Sequence, residues 1–254
     1  MLSNPRFTEI MKIIYKLKSV SVQVLTERLN VSEVTIRKDL STLEAHGKII
    51  RTHGGAYLAE DMQKYNPVNM RYNEYLLEKV AIAKKARELI KEDDTIYLDS
   101  GSTCFFLARE IKEMNLRVVT DSLDVMNELS NSPNISLFSL GGSFRPDAGS
   151  FIGPIAEKTV GNFHIKTCFI GASGISVDGN FSSQNTIEAQ LKQAVIQSSQ
   201  RKVILADSSK IGVTAFSIFA KPDDIDILIV DEKGYDLEKL RSLDIEIIIA
   251  FVDK

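Results

Sequence analysis

The chain has 254 residues, of which 44% are hydrophobic and 26% charged, and its formal net charge is −3. This composition is typical of a globular protein and excludes a disordered chain; the length suffices for one large domain or for a small and a medium one. No apolar stretch resembles a signal peptide or reaches the length of a membrane span, so we expect neither.

The charge is distributed unevenly. Residues 1–57 hold nine lysines and arginines and five acidic residues, a net charge of +4, so the remainder carries −7. A basic head on an acidic body is typical of a protein in which one module faces nucleic-acid phosphates, although chance clustering is an alternative. Residues 1–57 are therefore our candidate DNA-binding domain.

Three helical patterns follow one another in this head. The first covers residues 5–18, whose apolar side chains recur at helical spacing. Ser21 is placed to cap a short second helix, and Ser32 is placed to cap a third that stops at Gly47. The very short connection between the second and third helices is typical of a helix-turn-helix.

The third helix has two different faces. Ile36, Leu40 and Leu43 fall on one side, where we expect them to pack on the first two helices. Hydroxyl and cationic side chains that suit the DNA major groove face the other way, although a merely solvated face is the alternative. These outward residues are Thr35, Lys38, Ser41 and Thr42, with Arg37 at the flank.

The residues after this helix predict a wing. Residues 47–56 indicate a short strand, a turn and a returning strand, which place Lys48, Arg51 and His53 near a phosphate backbone. A lone histidine beside two glycines is often only a turn residue, so for His53 we predict a role in positioning the DNA backbone.

A set of residues in this head resembles the signature of the DeoR family of bacterial repressors: Val31-Ser32, Thr35 to Leu40, Leu43-Glu44, Gly47, Arg51 and His53 to Ala56. The family commonly has arginine at Lys38, a change that keeps the charge. The resemblance implies a DNA-binding regulator of a sugar operon, acting on double-stranded operator DNA as a homodimer or homotetramer. The predicted DNA-binding residues are Ser32, Thr35, Arg37, Lys38, Ser41, Lys48, Arg51 and His53.

Residues 58–74 indicate a linker and entry segment, and residues 75–254 indicate a second domain. Apolar strands alternate there with helices, and several strands are apolar throughout, which predicts an α/β fold with a mostly parallel sheet covered on both faces. The predicted strands are 95–99, 117–120, 135–140, 167–172, 202–206, 227–230 and 246–249, and the predicted helices are 73–90, 104–112, 122–129, 186–199 and 237–240.

Small polar and glycine residues follow five of these strands. Ligands of parallel sheets sit at the carboxyl ends of the strands, so five such segments at one edge predict a single ligand site. Residues 99–103 combine a helix N-terminus with hydroxyls, which suits a phosphate. Each segment alone is weak evidence, because such residues usually just make turns. The other segments are 120–122, 141–142, 171–174 and 207–210.

Several cofactor classes are disfavoured. The sequence has neither a Walker P-loop nor a G-x-G-x-x-G motif, so we expect no nucleotide cofactor. His46 and His164 have no partners at metal-ligand spacing, so we predict no metal site. Cys104 and Cys168 lie in apolar surroundings, which favours free thiols in a cytoplasmic protein over a disulfide.

The body also resembles the DeoR-family sensor domain, which implies a fold like that of ribose-5-phosphate isomerase and a phosphorylated sugar-type effector. The family often has threonine at Ser102 and asparagine at Asp121; this second change leaves Asp121 either to bind a sugar hydroxyl or to point away. By the resemblance, Arg71 and Lys79 reach the effector, with a surface salt bridge as the alternative, and Lys192 is a weaker candidate. The predicted effector-binding residues are Arg71, Lys79, Asp99, Gly101, Ser102, Thr103, Thr120, Ser122, Gly141, Gly142, Gly171, Ala172, Asp207 and Lys210.

Two other functions compete with a regulator. A sugar-phosphate isomerase fused to a DNA-binding head would need a base, for which Asp99, Asp207 or Glu188 are candidates, and Lys210 could stabilise an enediolate oxygen. A scaffold without a ligand is the third hypothesis. A complete winged helix beside the site has no use in an enzyme, so the sequence favours a regulator that is not an enzyme.

Overall fold

The computed structural model describes residues 5–17, 19–45, 49–51, 55–58, 72, 74–233 and 245–252. The chain divides into two compact units, Met1–Asn66 and Pro67–Lys254, and each is described by itself. Within the described ranges, no helix combines the length and the apolar character that crossing a membrane requires.

The N-terminal unit combines three helices with a small antiparallel sheet. The Ser21 hydroxyl accepts a hydrogen bond from the Val24 amide at 3.2 Å, so the predicted cap of the second helix is confirmed. The two predicted wing strands pair with each other, and a third strand that we did not predict joins them, in the order β1-β3-β2. The elements are α1 (Pro5–Leu17), β1 (Ser19–Ser21), α2 (Val22–Leu29), α3 (Glu33–Ala45), β2 (Ile49–Arg51) and β3 (Gly55–Leu58).

The core of this unit forms where the sequence predicts it. Ile36, Leu40 and Leu43 of α3 are fully buried and belong to one cluster with residues of α1 and α2. A contact that we did not predict adds to this packing: Arg6 of α1 binds the nearly buried Asp39 carboxylate of α3 through two nitrogens, at 2.5 and 3.1 Å. The inward face of α3 is thus fixed, which leaves its other face outward.

The second unit is built on a seven-stranded sheet in which every described pair of strands is parallel, in the order β15-β14-β12-β9-β4-β5-β6. All seven strands were predicted, so the predicted α/β fold is confirmed. They are β4 (Thr95–Leu98), β5 (Leu116–Thr120), β6 (Ile135–Ser139), β9 (Ile165–Gly171), β12 (Ser199–Ala206), β14 (Ile227–Asp231) and β15 (Glu246–Ala250).

Both faces of the sheet are covered, as continuous apolar strands require. Along β4, Ile96 and Leu98 belong to one core cluster, whereas Tyr97 between them belongs to a second one. The first cluster includes α4 (Leu76–Arg87), α5 (Ser102–Glu110) and α6 (Leu123–Leu129), and the second includes α7 (Pro154–Val160) and α8 (Thr186–Gln197).

Several short elements were not predicted. β7 (Ser143–Arg145) and β8 (Ser150–Ile152) form a hairpin, and β10 (Gly174–Ile175), β11 (Phe181–Ser183) and β13 (Ser217–Ala220) form a small antiparallel sheet. Helix α7 was also missed, and the predicted helix 237–240 lies outside the described residues.

The entry helix α4 is shorter than the predicted range 73–90. Tyr75, at its N-cap, has a positive φ of 52°, which interrupts the helix on that side. On the other side, the amides of residues 88–90 bond to carbonyls three residues back, which tightens the chain into a turn.

Candidate functional site

The start of α3 uses two of the predicted DNA-binding hydroxyls for capping. The Ser32 hydroxyl accepts a hydrogen bond from the Thr35 amide at 3.3 Å, and the two side-chain oxygens lie 2.9 Å apart. Ser32 is exposed and Thr35 is half-buried. Both therefore help to begin the helix, and Ser32 is also exposed to solvent.

The remaining predicted residues of α3 face outward. Arg37, Lys38 and Ser41 are exposed, and Arg37 pairs with Glu33 at 3.5 Å across one helical turn. An exposed ion pair of this kind contributes little to stability and leaves the guanidinium accessible. The same face carries Val34, whose side chain is 78% exposed. The sequence reasoning missed Val34 because it searched this face for polar groups.

The wing residues are described only in part. The backbone of Arg51 pairs with Ala56, as the predicted strand and returning strand require. Lys48 and His53 lie outside the described residues, so their proposed contacts with the DNA backbone stay predictions.

In the second unit, a polar pocket opens at the carboxyl ends of β4, β9 and β12, which are neighbours in the sheet. Nine of the predicted effector-binding residues line it: Lys79, Asp99, Gly101, Ser102, Thr103, Gly171, Ala172, Asp207 and Lys210. The lining also includes Ser100 and Ser173 from the predicted segments, the weaker candidate Lys192 and the candidate base Glu188. Leu205 and Ala206 complete the lining and were not singled out from the sequence.

One wall of the pocket is the first turn of α5. The first backbone N–H groups of a helix point out of its N-terminal end, which here faces the pocket, and the N-cap Gly101 has no side chain to bond them. A Cβ at Gly101 would lie 3.7 Å from the Cα of Gly171, and one at Gly171 would lie 3.2 Å from an Asp99 oxygen. The two glycines therefore allow the two strand ends to approach closely.

A buried cation forms the floor. Lys192 of α8 is 3% exposed, and its ammonium donates to Asp99 Oδ2 at 2.9 Å and to the Gly171 carbonyl at 2.6 Å. It also pairs with Glu188 Oε1 at 3.4 Å and lies 5.3 Å from the centre of the Phe219 ring. Burial alone lowers the pKa of Lys192, but the charges of Asp99 and Glu188 outweigh burial and raise it above the ordinary value. The lysine therefore stays charged.

Two lysines at the pocket come from other elements. Lys79 of α4 is 3% exposed and donates to the Glu74 carbonyl at 2.7 Å. Lys210 ends a short 3-10 turn, Ser208–Lys210, and is half-buried. The Asp207 carboxylate, just before that turn, accepts hydrogen bonds from the amide and the hydroxyl of Ser209. Arg71 lies outside the described residues.

Asp121 lies inside the protein, outside the pocket lining. It is 1% exposed, and its Oδ1 accepts a hydrogen bond from the Tyr97 hydroxyl at 2.7 Å. Burial, together with the nearby charge of Asp99, raises the pKa of Asp121 to about 8. Of the two predicted alternatives, the structure agrees with the one in which Asp121 points away from a ligand.

Two of the five predicted strand ends do not reach the pocket. Thr120, the last residue of β5, donates its hydroxyl to the Leu98 carbonyl at 2.6 Å, and Ser122 caps α6 by accepting from the Val125 amide at 3.2 Å. The hairpin β7–β8 covers this end, because Ser150 bridges to Ser122 and the Leu123 amide bonds to the Gly149 carbonyl.

The glycines after β6 are also turn residues. Gly141 and Gly142 have φ values of 65° and 109°, and a Cβ on Gly142 would lie 2.7 Å from the Ile152 carbonyl oxygen. Three of the five predicted strand ends therefore line the pocket, and effector contacts by the residues at the other two stay predictions. A hairpin that carries little sequence signal covers those two ends.

Comparisons with known proteins identify domains of the same family in both units. The DeoR-like helix-turn-helix domain matches residues 6–61, and the DeoR C terminal sensor domain matches residues 75–232. An HTH-type transcriptional regulator of Bacillus subtilis, YulB, which is described as uncharacterized, is 34% identical over 96% of this chain and 94% of its own length. The lactose phosphotransferase system repressor of Staphylococcus epidermidis is 33% identical over 94% of this chain and 95% of its own length.

Among solved structures, ribose 5-phosphate isomerase A of Methanocaldococcus jannaschii matches with a TM-score of 0.39 and 19% identity, covering 52% of this chain and 53% of that one.

Proposed function

Because this chain belongs to the DeoR family of transcriptional regulators, we propose that it represses a sugar or carbohydrate catabolic operon and that a phosphorylated sugar-type effector relieves the repression. The observation that carries the proposal is the combination of an exposed cationic helix in one unit with a lysine-bearing polar pocket in the other. Such a protein would act on operator DNA in the cytoplasm, as a homodimer or homotetramer on paired half-sites.

The DNA-binding half of the proposal rests on Arg37 and Lys38. We expect the double variant R37A/K38A to bind a selected operator duplex more weakly, with the slope of log affinity against log salt reduced by about one unit for each phosphate that the variant no longer neutralises. Lys12, an exposed cation on α1 that pairs with Glu9, provides the matched control, K12A. Equal loss of affinity in both variants would mean that α3 is not the recognition helix.

The effector half rests on Lys210 and the first turn of α5. A helix N-terminus with an adjacent lysine is a suitable anion site, and the pocket is open to solvent. A thermal-shift screen against phosphorylated sugars, polyols and sugar acids identifies the effector. We expect K210A to abolish the stabilisation by that compound while leaving DNA affinity without effector unchanged. The control is K158A, an exposed lysine on α7 that does not line the pocket.

Lys79 connects the pocket with the segment that leads into α4. Its ammonium lines the pocket and holds the carbonyl of Glu74, just before α4. We propose that an anion in the pocket competes with this carbonyl and so alters the entry segment. For the effector to influence DNA binding, it must bind one conformation of the protein more tightly than the conformation that binds operator. The coupling free energy between two such sites is typically about 1–3 kcal/mol. We expect K79M to bind operator normally but to respond less to effector in a gel-shift titration.

The isomerase alternative is disfavoured by the pocket's own contacts. Asp99 and Glu188, two of the three candidate bases, both bind the Lys192 ammonium. The third, Asp207, accepts hydrogen bonds from Ser209. Sustained turnover of a sugar phosphate by the purified protein would nevertheless favour the enzyme, and a gel shift unaffected by the whole effector panel would contradict the regulator.

A further inference from the structure

The outward face of α3 carries an apolar side chain between its polar ones. Val34 is 78% exposed, and at 100° per residue it lies on one stripe with Lys38 and Ser41, with Arg37 beside them. These three residues are exposed as well. Both threonines of the helix lie at the flank of this stripe and are half-buried. The centre of the face therefore includes a valine, where the sequence had suggested only hydroxyls and cations.

Packing does not explain this valine. The contribution of α3 to the core is Ile36, Leu40 and Leu43, and Val34 is not part of that cluster. A β-branched residue is also a weaker helix former than alanine, lysine or glutamate. An isolated exposed apolar residue needs no explanation by itself. What distinguishes Val34 is its location in the first turn of α3, the second of the two helices of the helix-turn-helix. In such motifs this part of the helix contacts base edges in the major groove.

We propose that Val34 is a specificity-determining residue that packs on the C5-methyl group of a thymine. Thymine is the only base that presents a methyl group in the major groove, and small apolar side chains contact it there. Arg37 and Lys38 can hold the helix on phosphates or guanine edges, so that Val34 selects thymine at a neighbouring position. This inference rests on DNA binding by the family and is independent of the effector.

The test uses the full-length protein and DNA from which single methyl groups are removed. Wild-type protein selects duplexes from a randomised pool, and each thymine of the enriched duplex is replaced singly by deoxyuridine, which lacks only the methyl group. We expect one thymine per half-site at which the replacement weakens wild-type binding about fourfold, as the burial of one methyl group predicts. V34A buries less of that methyl group, so its preference for the thymine duplex over the uracil duplex should be clearly smaller than that of wild type.

Two controls separate this result from other failures. R37A/K38A should lose affinity for every duplex, which identifies a general loss of DNA binding. Because Val34 is 78% exposed, V34A leaves no cavity, and because alanine is the better helix former, V34A should unfold at or slightly above the wild-type temperature. The proposal is overturned if no uracil replacement distinguishes wild type from V34A, or if both proteins select the same base with equal strength at every position.

Discussion

Replacing Lys192 by methionine removes the positive charge from the floor of the pocket while nearly keeping the length of the side chain. The Asp99 carboxylate, 2% exposed, would then keep the Gly171 amide as a hydrogen-bond donor at 2.8 Å but lose the ammonium at 2.9 Å. Removal of one partner from a buried ion pair typically costs about 3–5 kcal/mol, because the remaining charge stays buried without compensation.

This cost corresponds to a large change in the melting temperature. For a domain of about 150–250 residues, 1 kcal/mol lowers the melting temperature by about 2–4 °C, so K192M should unfold about 6–20 °C below wild type. Differential scanning calorimetry suits the measurement, since the chain forms two compact units and the transition of the N-terminal unit should not move. K210M is the matched control: this lysine is half-buried at the pocket mouth, and its loss should cost about 0.5 kcal/mol or less.

A double variant completes the argument. K192M/D99N removes both charges, and the introduced amide oxygen can still accept a hydrogen bond from the Gly171 amide, so we expect this variant to recover much of the stability that K192M loses. If K192M instead melts within about 2 °C of wild type, or if the double variant is no better than the single one, the buried ion cluster does not have the energetic role described here.

Two other predictions concern residues outside the pocket. Because burial raises the pKa of Asp121 to about 8, the native state holds this proton more tightly than the unfolded chain, and wild-type stability should fall as pH rises from about 4 to about 8. D121N cannot ionise, so its melting temperature should exceed that of wild type by more at pH 8 than at pH 5; a constant difference would contradict the assignment. G142A should destabilise the protein by about 1–3 kcal/mol, because φ is 109° and the added Cβ meets the Ile152 carbonyl. G141A, with open space around it, should cost less, and equal losses in urea unfolding would argue against this role of Gly142.

The sequence predicted the central sheet well because buried parallel strands have a strong signature. β12, for example, ends in an apolar run from Val203 to Ala206 that is buried on both faces, and a run of that length is too short for a buried helix. The hairpin β7–β8 and the strands β10 and β11 have only two or three residues each, too few for any periodicity to emerge. Their positions depend on tertiary contacts that a local pattern does not encode.

The same difference decides how much of the pocket could be predicted. Residues that immediately follow β4, β9 and β12 were identified because the end of a parallel strand is a general place for ligands. Lys192 was undervalued because it lies on α8, and only the fold brings it to Asp99, 93 positions away along the chain. Thr120 and Ser122 satisfied the same rule as the residues that line the pocket, but the unpredicted hairpin bridges to Ser122, and neither residue is part of the lining.

The distribution of charge within the pocket supports an effector that carries an anion. The lining contains three lysines and three carboxylates, so its formal charge is balanced. Anion binding therefore depends on where each charged group lies in the pocket and not on the number of lysines. Asp99 and Glu188 bind Lys192 at the floor, and Asp207 accepts hydrogen bonds from Ser209. Lys210 stands apart from these pairs at a pocket that also receives the N-terminus of α5. A phosphate would form charge-assisted hydrogen bonds with the cation and the oriented N–H groups there, whereas the hydroxyls of an unphosphorylated sugar would form only the weaker bonds of a neutral acceptor.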